Sequence, residues 1–470
     1  MLTNNVKIKN FFLGKWYPAL NFALIVLGYI SGLEVYTILL SAILMAIAIV
    51  KTCSIKPMVF YILTFMYQFN SRHLPMKPYN SEHYYTGINL IILLLAALII
   101  VASVLIYLGK SRILSYVSWR SIPLILPLTL FSAAMLLNGV LTPGDDLMNF
   151  VWGAGQVLVY FVIYVLLYLG LRRENREELL QYFHHVVTLM SWVIIVEVVW
   201  FYLTSGMSFV EFIQSRSMSL GISSCNIVGA HAAMLIPANL HAFLKGKRPY
   251  LSLLTTMLVY AVALASTSRN AMLFGSVYLV LCIAICIFSG ARGRQMGKIV
   301  LVSVVFLAVF GLIFRSQIES IIELYLNRGM GNNGRYPLWE KAFYEFLQSP
   351  IFGKGFYTID LTTPNSFEML SFDLVPDFAH NTVFELLGAT GIVGFVTYFI
   401  YRISTLILTF KRPTLDRLML MITASYIVLS SLLDNFVFQI FSPVLYTVAV
   451  AFAALVYEDD MKRPCTKRKG

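Results

Sequence analysis

The chain has 470 residues, 35 Lys and Arg against 23 Asp and Glu for a net charge of +12, and 59% apolar residues with only 12% charged. A soluble globular chain carries about 25% charged residues, so this balance excludes a soluble enzyme, and aperiodic Gly and Pro exclude collagen-like and repeat architectures. The surplus positive charge sits in short clusters between apolar runs, a topology signal of a membrane protein and not a nucleic-acid surface.

A bilayer core about 30 Å thick needs about 20 apolar residues per helix, and cutting the chain on that basis predicts an all-α polytopic transmembrane bundle of about 12–14 spans. Span centres fall near Ala23, Ala42, Leu63, Ala97, Leu130, Tyr160, Ser191, Met234, Val259, Val280, Ala308, Phe395, Ser425 and Val448. The third, Met58 to Phe69, is short enough to be re-entrant. With the N-terminus placed in the cytoplasm, the outer segments hold only Arg72, Lys77, Arg216, Arg269, Arg315, Arg328, Arg335, Lys341 and Lys354 of the 35 basic residues. The positive-inside rule therefore puts both termini in the cytoplasm, and the apolar run after the basic N-terminal tail reads as a retained anchor. Cys53, Cys225, Cys282, Cys286 and Cys465 show no metal-type spacing, so no metal, cofactor or structural disulfide is expected.

The residues that break this pattern come in chain order. An outer loop from Arg72 to Tyr85 carries His73, Tyr79, His83, Tyr84 and Tyr85, which read as an interfacial aromatic belt. Asp145 with Asp146 and Asp434 with Asn435 read as solvated outer turns. Glu197 is an ionisable residue inside a span, which is costly enough to mark a functional position by default. Residues 317–378 form one long outer loop of their own character, within which Leu338, Trp339, Ala342, Phe343, Phe346 and Leu347 make a helical stripe with Pro337 in its first turn. Before that stripe lies Gly329-Met330-Gly331-Asn332-Asn333-Gly334-Arg335, whose backbone amides can approach an anion where the helix dipole is positive. The expected organisation is 1–316, N-terminal transmembrane helices; 317–378, an extracytoplasmic loop with short helices; and 379–470, C-terminal helices and a basic cytoplasmic tail.

From Arg335 onward the order Gly334-Arg335, Trp339, Pro350, Gly353-Lys354-Gly355, Ala379-His380-Asn381, Glu385, Gly388, Gly391 and Gly394 resembles the signature of the O-antigen ligase and polymerase superfamily. Upstream, Thr267-Ser268-Arg269 is similar to that family's second arginine motif, and Asn226 matches a common polar position. The resemblance implies glycosyl transfer on the outer face of the bacterial cytoplasmic membrane, from a polyprenyl-diphosphate-linked glycan to an acceptor hydroxyl, without metal. Such chemistry needs fixed cations where charge gathers on the diphosphate, and Arg269 and Arg335 fit that role, with Arg328 as a third donor. His380, expected to open the twelfth span at the positive helix end, is the candidate base, and Asn381 beside it caps the helix or orients the ring. Trp339, Glu197 and Asn226 complete the expected substrate-binding set. Gly388, Gly391 and Gly394 read as helix packing, with close backbone approach or a groove for a lipid chain as the other readings.

The sequence reading is thus a membrane glycosyltransferase polymerising lipid-linked repeat units of a capsule, exopolysaccharide or O-antigen, in one inverting displacement. A ligase that moves the finished glycan to lipid A core or protein is the alternative within the superfamily, and a lipid-linked glycan flippase or secondary transporter the alternative outside it. Expected partners are the lipid-linked donor and acceptor, the bilayer, a chain-length regulator and a flippase; no nucleic acid is expected.

Overall fold

The computed structural model describes residues 2–69, 84, 86–113, 118–141, 146–216, 218, 220, 224–289, 335–356, 379–411, 413–439 and 442–462, with isolated positions 295, 297, 298, 300, 301, 304, 315, 319 and 323. Among these residues every regular element is helical. In chain order they begin with α1 (Leu2–Leu13), α2 (Trp16–Ser31), α3 (Glu34–Thr52), α4 (Met58–Thr64), α5 (Gly87–Ser111), α6 (Ile125–Leu141), α7 (Asp146–Val157), α8 (Ile163–Leu171) and α9 (Arg176–Ser205). They continue with α10 (Phe209–Ser215), α11 (Cys225–Lys245), α12 (Pro249–Ala265), α13 (Arg269–Phe288), α14 (Arg335–Gln348), α15 (Thr382–Phe410), α16 (Leu415–Ser430) and α17 (Val444–Lys462). A π-helical turn, Leu158–Val162, joins α7 to α8, and a 3-10 turn, Phe65–Gln68, extends α4.

Every expected span centre falls in a helix except Ala308, which lies outside the described residues. Among the described residues, seven helices are long and apolar enough to cross a membrane: α3, α5, the run Asn149–Leu171, α9, α11, α13 and α15. Trp16–Ser31, Met58–Gln68, Ile125–Leu137 and Pro249–Ala265 are shorter apolar helices. The chain is an all-α, multi-pass membrane protein.

The helices group into two compact units that interleave along the chain, Met1–Lys110 with Glu178–Gly331 and Ser111–Glu177 with Asn332–Gly470. In the first unit α11 is central, buried along nearly its whole length and packed by α12 and α13. Its Gly229, Ala230, Ala232, Ala233, Ala238 and Ala242 leave little bulk between backbones, which is how helices associate where lipid supplies no hydrophobic drive. Asn239 donates to Ser191 Oγ at 2.8 Å, and Trp192 of α9 donates to Thr255 of α12 at 3.1 Å, so polar side chains fix the register. Helix α10 starts in a capping box in which Ser208 and Glu211 exchange hydrogen bonds; the Ser208 backbone and hydroxyl groups hold the Glu211 carboxyl below its usual range. Tyr84 departs from the expected interfacial belt: it is buried, with its hydroxyl donating to Glu34 Oε1 at 2.7 Å and its ring against Phe69. A tyrosine beside an interior carboxylate satisfies it better than one at the lipid surface. His73, Tyr79, His83 and Tyr85 lie outside the described residues.

In the second unit α6 packs on α7 and α15, α8 and α16 pack on α17, and α14 packs on α15. Residues at the ends of α8, α9, α16 and α17 are clasped by ion pairs. Arg172 donates to Glu458 at 2.7 Å and Arg176 to Asp416 at 2.9 Å and to Asp460 at 2.5 Å.

Candidate active site

The site is built around a break in a long helix. Gly391 in α15 has φ 61° and ψ −162°, a backbone region open only to glycine, so the helical ladder stops there. The segment after α14 fills the gap with its own backbone. Lys354 and Gly355 donate N–H to the Gly388 and Ala389 carbonyls, each at 2.9 Å, and the Ile392 and Val393 amides donate to Pro350 and Ile351 at 2.9 and 3.2 Å. Gly353 and Gly355 are also left-handed, at φ 71° and 90°, and a Cβ on Gly391 would stand 2.5 Å from the Ile351 carbonyl. Gly391, expected to serve helix packing, therefore serves close backbone approach, because a helix break inside the membrane must have its amides and carbonyls satisfied by protein.

This joint fixes α14 beside the start of α15. Trp339 of α14 donates its indole N–H to the Ala379 carbonyl at 2.9 Å and stacks on Phe384 with ring centroids 5.3 Å apart and planes 8° apart. Buried Glu385 accepts from the Ala379 amide at 2.6 Å, so both polar ends of that residue are held. Asn381 is the N-cap of α15, accepting from Val383 at 2.8 Å and Phe384 at 3.4 Å, while its amide donates to the Leu432 carbonyl at 2.9 Å. Thr382 adds backbone and hydroxyl bonds to the Ser431 carbonyl at 3.0 and 2.9 Å.

His380 lies between these anchors with φ 51°, a strained conformation that the bonds on either side over-determine. Its Nδ1 meets Asp434 Oδ1 at 2.8 Å, with the imidazole side chain 44% exposed and the carboxylate 7%. An ionised carboxylate only accepts, so a neutral His380 paired with it holds its proton on Nδ1 and keeps the Nε2 lone pair on the open side of the ring. Asp434 Oδ1 also accepts from the Asn435 amide at 3.0 Å, which fixes the carboxylate plane. A base, an acidic orienter and an accessible nitrogen are the parts needed to deprotonate a hydroxyl.

The structure brings Trp339, His380 and Asn381 together in the second unit, and half-buried Arg335 heads α14 there. Arg269, Asn226 and Glu197 belong to the first unit. Arg269 is exposed and heads α13 behind the Ser268 cap; Asn226 accepts from Arg216 at 2.6 Å; Glu197 is buried in α9. Each arginine is the first residue of a helix, the end at which the helix dipole is positive. Arg328, Asp145 and the glycine run 329–334 lie outside the described residues. The sequence reading missed Asp434, expected as a solvated turn but buried against His380, because burial in the turn after α16 depends on contacts across 54 residues. It also gave Glu385 no role.

The described residues form a multi-pass membrane protein in which a histidine–aspartate pair stands just before the start of a broken helix. Residues 253–399 match the O-antigen ligase family, a segment-level likeness that supports the resemblance to the O-antigen ligase and polymerase superfamily. The match takes in Arg269, Arg335, Trp339 and His380 and ends within α15, short of Asp434. No curated protein matches the chain.

Proposed function

We propose that the protein is a glycosyltransferase that polymerises polyprenyl-diphosphate-linked repeat units of a surface polysaccharide at the outer face of the cytoplasmic membrane. The observation that carries this reading is the His380–Asp434 pair, with one ring nitrogen held and the other open. In the proposed step His380 Nε2 takes the proton of the acceptor hydroxyl as its oxygen bonds to the anomeric carbon. The bond from that carbon to the diphosphate oxygen breaks on the opposite side, its electron pair leaving with the lipid diphosphate and the centre inverting. Asp434 stabilises the imidazolium that forms, Arg335 takes up charge gathering on the leaving group, and the family resemblance of the sequence assigns Arg269 to the diphosphate as well. Arg328, Glu197 and Asn226 are assigned to substrate binding. Positive-inside counting supports cytoplasmic termini and an outer site.

A ligase is the second reading, favoured by the description of the matched family. Glycan length separates the two in a strain deleted for the gene and complemented with wild type, His380→Ala, Arg335→Ala or Arg269→Ala at matched protein levels. Polymerisation predicts a ladder restored by wild type, with single lipid-linked units accumulating in the variants. Long lipid-linked polymer persisting in the deletion strain but failing to reach its final acceptor identifies a ligase, and variants indistinguishable from wild type refute the site.

A further inference from the structure

The turn that carries Asp434 is irregular backbone buried in the second unit. Asn435, Phe436, Val437 and Phe438 are each no more than 1% exposed, so their carbonyls need partners from protein. Two side chains of one helix segment supply partners for two of them, Val437 and Phe438. Gln156 donates to the Phe438 carbonyl at 2.5 Å, and Tyr160 donates its hydroxyl to the Val437 carbonyl at 2.8 Å. Tyr160 sits in the π-helical turn Leu158–Val162, an element that is rare and concentrated at functional sites.

Behind Tyr160 stands Arg402 of α15, a cation 7% exposed inside a span. Its guanidinium carbon lies 4.2, 4.5, 5.0 and 5.2 Å from the ring centroids of Tyr446, Tyr398, Tyr401 and Tyr160, and its Nη2 donates to Tyr160 Oη at 3.2 Å. Guanidinium has donors only, so the phenol oxygen must accept from it, and the single phenol proton is directed at Val437. The aromatic faces hold the cation where no solvent does.

We infer that Arg402 and Tyr160 are positioning residues for the reaction: the Arg402–Tyr160–Val437 relay holds the 434–438 turn so that the Asp434 carboxylate meets His380. The inference rests on the catalytic reading of the His380–Asp434 pair. Both act through Asp434.

The test uses full-length protein in nanodiscs, with the lipid-linked oligosaccharide that accumulates in the deletion strain as donor and acceptor, and measures bond formation in single and multiple turnovers. Tyr160→Phe keeps the ring in the cage and removes the relay. It is expected to lower kcat by about 10-fold with KM within about twofold, and to have less than about a twofold effect in an Asp434→Asn background, because residues acting as one unit are non-additive. Tyr164→Phe removes a comparable buried phenol, bonded to the Pro123 carbonyl, and should keep the wild-type rate. Hydrogen exchange at residues 435–438 should rise in Tyr160→Phe and in Gln156→Leu, and stay unchanged in Tyr164→Phe. Loss of the same factor in both backgrounds, an unchanged rate in Tyr160→Phe, or unchanged exchange at 435–438 overturns the inference and leaves the catalytic pair standing. An Asp434→Asn enzyme at the wild-type rate removes the catalytic reading itself, and the inference with it.

Discussion

Gly391→Ala is the sharpest perturbation of the joint that holds α14 to α15. The residue's φ of 61° and ψ of −162° fall in a region that costs an alanine about 1–3 kcal/mol in backbone strain. The new Cβ would also stand 2.5 Å from the Ile351 carbonyl and 2.7 Å from the Gly353 nitrogen, so the Pro350–Gly355 segment has to move away. Backbone hydrogen bonds from Lys354, Gly355, Ile392 and Val393 close this joint, each contributing about 1 kcal/mol net, and losing half of them adds about 2 kcal/mol. The total is about 3–5 kcal/mol. Gly109→Ala in α5, where nothing lies within 4 Å of the added carbon, is the matched control and should be neutral or slightly stabilising. Thermal unfolding in detergent, followed by tryptophan fluorescence, and hydrogen exchange at residues 350–355 and 388–393 report the effect. A Gly391→Ala protein with the wild-type Tm and wild-type exchange in both segments would refute the account of how the site is assembled.

Asp434→Asn should leave the fold intact and slow glycosyl transfer by about 100-fold, since it removes the charge that orients His380 and stabilises its protonated form; single-turnover rates check this. Trp339→Phe keeps the stack on Phe384 but loses the bond to the Ala379 carbonyl, worth about 1 kcal/mol, and a several-fold drop in kcat with little change in Tm is expected. Asn381→Ala should cost about 1 kcal/mol of stability through loss of the α15 cap, read as a lower Tm. Arg176→Ala leaves Asp416 and Asp460 without their shared cation, and unfolding should show a loss of about 2 kcal/mol with glycosyl transfer at the remaining folded protein unchanged.

The helices were readable in the sequence because span length and apolar content are local quantities, and each described centre lies in a helix. His380, Asn381 and Trp339 were readable through their order within one short stretch. Asp434 was not: a carboxylate after a helix reads as solvated until the fold wraps it onto a histidine 54 positions earlier. The break at Gly391 was hidden for the same reason, since the glycine spacing fits a packed helix face as well as a kink and only the arriving Pro350–Gly355 backbone distinguishes them. Arg402 counts by position among the inner-side charges of the topology signal, yet it is buried among tyrosines that lie far apart in sequence. Local chemistry was legible; pairings made by long-range packing were not.

The most direct test of the central claim is the single-turnover rate of glycosidic bond formation by wild type and His380→Ala in nanodiscs, with equal Tm confirmed for both. Removing a general base predicts a loss of about 10²–10⁴-fold in that rate with donor binding nearly unchanged. A His380→Ala protein within about threefold of the wild-type rate would contradict the assignment, because no positioned proton acceptor contributes so little.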